Sequence, residues 1–358
     1  MAPLVFFSAI LALALPLAAS PVSSVSSNSS NTSTCTTPIV RKEWRRLSSC
    51  QKKSYIKAVQ CLMNKPPITS VADVPNVKTR YDDFLATHIV QADECHFTAI
   101  FYPYHRWLLH NYELALADCG WTEGQPYWDW TLDAGSPYDF VNSPVFDAKT
   151  GFGGNGALVP GNFSNPDPDV LLISPLDLPD HSGGGCIDDG PFAGLSTYLG
   201  PFANVTGTSP YCVRRDFSYN ALTTNSGAAS VATQMASPNF GTWDYNTEFS
   251  IHPGGHWAIG GIYGTMSDKW SSVADPLFWL HHSNLDRAWW SWQTRDLEAR
   301  VTDFSGPLIA FDYSNALGGN ATLETEVYIG LTEKLSITVK DAMHIQQGPF
   351  CYTYDEIY

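Results

Sequence analysis

Apolar side chains recur at helical spacing in four stretches of this chain, and between them the pattern dissolves into loops. Within Arg41 to Leu62, the residues Tyr55, Val59 and Leu62 share one face behind a Ser48-Ser49 start signal, which predicts an amphipathic helix. Residues 81 to 118 carry two further helical patterns, YDDFLATHIVQ and HRWLLHNYELALADC. The aromatic link Phe101 to Tyr104, with Pro103 as a breaker, is expected to separate them, and Gly120 to stop the second. Helical patterning returns over residues 275 to 299, and the stretch LSITVKDAM near the end alternates as short strands do. Residues 133 to 245, rich in Gly, Pro, Asp and Ser, keep no period and read as long loops. No internal repeat is visible.

The start of the chain reads differently. Its first twenty residues carry no charge and run apolar to Pro16, followed by Leu17, Ala18, Ala19 and Ser20. That predicts a secretory signal peptide over residues 1–20, because the run is short of the roughly 20 apolar residues that cross a bilayer. Residues 21–34 are too rich in Ser, Asn and Thr to bury a core and read as a disordered, glycosylated leader ahead of one catalytic domain at 35–358. Sequons at Asn28, Asn31, Asn162, Asn204 and Asn320 fit a secreted glycoprotein. The eight cysteines form an even set, which in an exported chain favours disulfides, though their pairing is not legible. A net charge of -15 with no basic cluster excludes nucleic acid and anionic membrane as partners.

The candidate chemistry lies in the histidines. His88 sits in one helical pattern, and His96 and His105 follow it, the second opening the next helix. His252 and His256 stand four apart, on one helix face, and His281-His282 fall in another apolar helix. A lone histidine is more often a hydrogen-bonded core residue, but two groups of three inside aromatic segments suggest metal. An all-imidazole set points to zinc or copper, and the lack of a carboxylate ligand or HExxH base counts against a zinc hydrolase.

Four segments then become specific: HFTAIFYPYHR (96 to 106), QPYWDW (125 to 130), HPGGH (252 to 256) and DPLFWLHHSNLDRAW (275 to 289). With the terminal CYTYDE, they resemble the tyrosinase, catechol oxidase and hemocyanin family in its short fungal form, over about residues 35 to 358. The resemblance implies a mainly α fold, a four-helix bundle holding a type 3 dicopper centre, with long loops and a few short β-strands. It implies two copper ions, copper A on His88, His96 and His105 and copper B on His252, His256 and His282, with His282 rather than His281 the ligand of that pair. Two one-electron metals in neutral imidazole sites can together perform the two-electron oxidation that one could not. The expected reaction is oxidation of ortho-diphenols, or of ortho-aminophenols, to quinones with O2 reduced to water. Small phenols and O2 are the expected partners, with no obligate protein partner.

The same resemblance gives Phe278 the role of a gate overhanging copper A and Glu248 that of an acid holding a water beside copper B. Hydroxylating members commonly carry Asn after the first copper B histidine, whereas Pro253 stands here, which favours diphenol oxidation over monophenol hydroxylation. Pro253 is expected to begin a helix with Gly254 and Gly255 in its first turn, leaving room above copper B, and Trp257 to restrict or stack on substrate. Asp286, one turn after His282, is a candidate orienter of that ligand. Cys95 directly precedes His96, too close for the family's thioether crosslink, so a disulfide is expected for it. Oxygen carriage is disfavoured in a lone domain without oligomeric repeats. The chain ends soon after Tyr354, so no C-terminal shielding domain is expected, unless residues 133 to 245 supply a lid.

Overall fold

The structure, a computed structural model, describes residues 35–159, 178, 180–331 and 335–358. The signal peptide, the leader and the sequons at Asn28, Asn31 and Asn162 lie outside them; Asn204 and Asn320 are exposed.

Helix α1 (Ser49–Leu62) opens where expected: the Ser48 hydroxyl accepts from the Gln51 N–H while the Gln51 side chain reaches back, a capping box. Helix α2 (Arg80–Cys95) opens the same way on Thr79 and Asp82. Helix α3 (Phe101–Ala117) corrects the sequence reading, because the Phe101 to Tyr104 link is its first turn rather than a break. Proline is tolerated there since first-turn N–H groups have no helical acceptor. Residues 133 to 245 are also less irregular than expected. They contain α4 (Pro137–Val141), α5 (Tyr219–Ser226), α6 (Ala228–Gln234) and most of α7 (Phe240–Glu248). Beyond them come α8 (Ile251–Gly260), α9 (Leu277–Thr294), α10 (Leu297–Arg300) and α11 (Val339–Ala342).

Strands are short and paired in twos. β1 (Ile39–Arg41) runs parallel to β8 (Tyr352–Tyr354). Antiparallel pairs join β2 (Gly156–Leu158) to β3 (Gly184–Ile187), β4 (Ser196–Thr197) to β5 (Tyr211–Cys212) and β6 (Glu326–Tyr328) to β7 (Ser336–Thr338). The LSITVKDAM stretch therefore splits, and a Thr338–Asp341 capping box turns its second half into α11.

The core is the bundle of α2, α3, α8 and α9. Helix α9 is buried from Leu277 through Gln293, so aromatics occupy all its faces; Trp279 stacks on Tyr112 of α3 with ring centroids 3.6 Å apart. Disulfides Cys35–Cys351, Cys61–Cys119 and Cys186–Cys212 pin the periphery, the first locking β1 to β8. Cys95 is not in a disulfide. It is a buried free thiol at the end of α2, its Sγ 3.5 Å from His96 Nδ1; Cys50 is free and exposed.

Candidate metal centre

The four bundle helices bring their histidines to one place. His88 comes from the middle of α2, His96 from its C-cap and His105 from the start of α3, with one ring nitrogen of each within 4.8 Å of the others. His252 and His256 of α8 meet His281 and His282 of α9 within the same limit. The two groups abut, the His105 and His282 rings stacking at 4.3 Å and His96 facing His252 at 5.8 Å.

Backbone carbonyls set most of the tautomers. A carbonyl can only accept, so Nδ1 carries the proton in His88 (2.7 Å from Trp270 O) and His96 (2.8 Å from Ala92 O). The same holds for His105 (2.8 Å from Phe101 O) and His256 (2.7 Å from Met266 O). Their Nε2 lone pairs are thereby freed: those of His88 and His105 are buried without a partner, and that of His256 faces His282 Nε2 at 3.1 Å. Burial lowers the pKa of His88 to about 4 and of His256 to about 3. Burial, and then neighbouring imidazoles, hold His96, His105, His252 and His282 well below the usual value too. Neutral imidazoles with unsatisfied lone pairs, and no carboxylate or thiolate among them, fit a pair of copper ions.

His281 differs. Trp130 Nε1–H donates to its Nδ1 at 3.1 Å, which forces the proton onto Nε2 and removes the lone pair a metal would need. Both partners' segments are legible in the sequence but this contact is not, since the two residues are 151 positions apart.

A cavity of about 100 Å³ opens on the cluster, its wall including His96, Phe97, Glu248, His252, Pro253 and Trp257. Glu248 accepts the Phe97 N–H at 2.6 Å through Oε1, and its buried Oε2 has no partner. Burial, and then the charge of Asp244 one turn earlier, raise the Glu248 carboxyl; burial raises Asp244 as well. Raised carboxyls hold their protons more tightly folded than unfolded, so the stability they contribute is present at low pH and is lost as pH rises through their folded values. At fixed metal content, Asp244→Asn should therefore shrink the fall in Tm between about pH 4 and about pH 8 by roughly 2–4 °C, measured by scanning calorimetry. An unchanged pH profile would show that Asp244 is ionised throughout.

Three further expectations are corrected. Phe278 is fully buried and absent from the cavity wall; it stacks on His282 at 4.1 Å and abuts His88 at 5.2 Å, behind the rings rather than over them. One α9 face carries both residues a turn apart, so Phe278 points into the bundle as His282 does. Met266 and Trp257 line the cavity instead. Gly254 and Gly255 leave no open room: a Cβ at Gly254 would collide with Ser226 Oγ of α5, and one at Gly255 with His281 Nδ1. Helix α8 begins at Ile251, two residues ahead of Pro253. Asp286 orients no histidine, because its carboxylate is taken by Arg106, Arg41, Tyr352 and Tyr354. The orienters are main-chain carbonyls, which no sequence motif announces.

Comparison with known proteins agrees with this geometry. A family model for the common central domain of tyrosinase matches residues 78–295. Tyrosinase-like protein phomQ1 of Diaporthe leptostromiformis is 35% identical over 336 residues, 90% of this chain and 78% of that protein. Tyrosinase P of Aspergillus terreus is 33% identical over 344 residues, 89% of this chain and 93% of its own. The structure of a mutant polyphenol oxidase from Thermothelomyces thermophila superposes with a TM-score of 0.76 at 32% identity, covering 89% of each chain. A fold that holds type 3 dicopper centres, two abutting clusters of neutral imidazoles and relatives of this similarity lead to one conclusion: the chain belongs to the tyrosinase family of copper oxidoreductases.

Proposed function

We propose that this chain is a diphenol oxidase, converting ortho-diphenols to ortho-quinones with O2 reduced to water. His88, His96 and His105 would hold one copper ion and His252, His256 and His282 the other. The copper pair would supply redox capacity, taking two electrons from each diphenol, so that two diphenols reduce one O2 to two waters.

The chain's own groups would do the rest. The carbonyls of Trp270, Ala92, Phe101 and Met266 hold four of the imidazoles in the metal-binding tautomer. Phe97, Trp257 and Met266 enclose the substrate ring and exclude water, and the free oxygen of Glu248 is placed to take a proton from a hydroxyl.

One observation carries the preference for diphenols: the wall residue next to His252 is Pro253. Deprotonating a monophenol calls for a water held between an acid and a second polar group. Pro253 offers neither side-chain amide nor N–H, so Glu248 lacks that second hand. O2 uptake by copper-loaded protein is expected to be fast with catechol and slow with tyramine. Pro253→Asn should raise the tyramine-to-catechol ratio of kcat/KM by about 10²-fold, the lower end of what a positioned base contributes. Comparable wild-type rates on both would overturn the preference.

Monophenol hydroxylation is the second reading, favoured by Glu248 itself, since the acid half of such a water site is present. Export fits the three disulfides, which form in oxidising compartments, with residues 1–20 as signal peptide, 21–34 as leader and 35–358 as the catalytic domain.

A further inference from the structure

The cavity continues outward onto a set of touching aromatic rings that the oxidation of a simple catechol does not use. Phe97 and Phe249 line the cavity. Their rings lie 5.4 Å apart, and Phe311 stacks on Phe97 at 4.1 Å and 21°. Tyr245 follows at 5.0 Å from Phe249, and Tyr313 at 4.7 Å from Tyr245. The outer members are open to solvent, Phe249 at 44%, Tyr245 at 45% and Phe311 at 55%, with Leu308 and Ile309 also exposed nearby in the chain. A soluble surface does not normally gather such rings at a cavity mouth unless something apolar rests there.

The backbone is strained to build this wall. Phe97 at φ 60° and Phe311 at φ 64° both sit in the left-handed region that bulky side chains avoid. Such conformations persist only where surroundings over-determine them, and they gather at ligand sites. Here the surroundings do so: Phe97 donates its N–H to Glu248, and Phe311 donates its own to the Phe97 carbonyl at 3.0 Å. The carboxylate of Asp312 then accepts from the N–H groups of Ala316, Leu317 and Gly318, closing the loop behind Phe311. The backbone of Phe311 is thus tied by one hydrogen bond to the segment that carries His96, and that segment by another to Glu248.

We propose that Phe311, Phe97 and Phe249 form a second-ring subsite, so that the preferred substrates are uncharged ortho-diphenols bearing another flat aromatic ring. This rests on the reading of the cavity as a diphenol oxidase. One ring would enter over the histidines while the other lies on the exposed face of Phe311 or against Phe249. The Asp312 carboxylate, held below its ordinary value by the backbone N–H groups it accepts, and the net charge of -15 disfavour an anionic substituent, and Lys269 is engaged by Asp93 at 2.6 Å.

The test compares catechol with phenylcatechol in wild type, Phe311→Gly and Phe311→Asn. Both substitutions suit a left-handed backbone and so keep the loop folded. Wild type should prefer phenylcatechol in kcat/KM, and both variants should lose about five- to ten-fold of that preference, through KM rather than kcat. Calorimetric binding of phenylphenol to metal-free protein should weaken by a similar factor relative to phenol. Equal effects on both substrates, or none, with catechol still turned over would overturn the subsite. Wild-type protein that oxidises neither catechol would instead fail the functional reading, and phenylphenol binding would still decide the subsite.

Discussion

Replacing His282 with alanine is expected to leave one copper per chain instead of two and to take catechol oxidation below detection, while His281→Ala keeps both coppers. The adjacent imidazoles are equally buried and both within 4.8 Å of His252 and His256, so proximity does not separate them. Tautomer does. The Trp130 indole can only donate, so His281 Nδ1 must accept, its proton sits on Nε2 and neither nitrogen has a free lone pair. For His281 to bind a metal through Nε2, Nδ1 would have to carry the proton and confront the indole N–H. His282 has no such obligation, and its Nε2 already points at that of His256, 3.1 Å away. Losing His281 would orphan the Trp130 N–H, costing about 1–3 kcal/mol of stability, and loosen the ring's neighbours, for which about a ten-fold drop in activity is expected. Atomic absorption on purified variants decides it, and a His281→Ala protein with a single copper would reverse the assignment.

Asp286→Ala should destabilise the fold by about 3–5 kcal/mol. Its carboxylate accepts from Arg106 at 2.5 Å, Arg41 at 3.2 Å and Tyr352 at 2.6 Å, and also from Tyr354. Both guanidinia are fully buried. Glu113 would still neutralise Arg41, but Arg106 would keep only the Ala342 carbonyl, a weak contact to Gln293 and the face of Trp289. A buried cation without a counter-ion is the costly outcome. The loss also removes one of the ties between the β1–β8 pair and α9, since Arg41, Tyr352 and Tyr354 all converge on this carboxylate. Burial alone would raise the Asp286 carboxyl, but Arg106 and Arg41 hold it below the ordinary value. Its stabilisation is therefore present above the usual carboxylate range and is lost as pH falls through the depressed folded value. At about 2–4 °C per kcal/mol, Tm should fall by on the order of 10 °C at neutral pH. Copper content measured well below that Tm should stay at two, because no histidine depends on Asp286. A fall of less than about 2 °C would sink the argument, and a lost copper would restore the orienting role.

The helices that carry the histidines could be placed along the chain because their signals are local: the apolar spacing of α2 and α9 and the four-residue step from His252 to His256. The family could be recognised for a similar reason, since histidines and their flanking aromatics are contiguous words such as DPLFWLHH. What remained hidden was each side chain's partner. Phe278 and Asp286 lie one turn on either side of His282, yet one packs behind the imidazoles and the other answers Arg41, 245 positions away. Pro103 and Cys95 are misread from their immediate neighbours, because a helix start and a buried helix end decide them. Gly255 is small for the His281 ring, and Phe97 is strained to meet Phe311; neither requirement exists until distant segments touch. Periodicity reports which face of an element is buried, because burial repeats with the backbone. It carries no record of what that face is buried against, and here the ligand choice and the cavity wall depend on those long-range contacts.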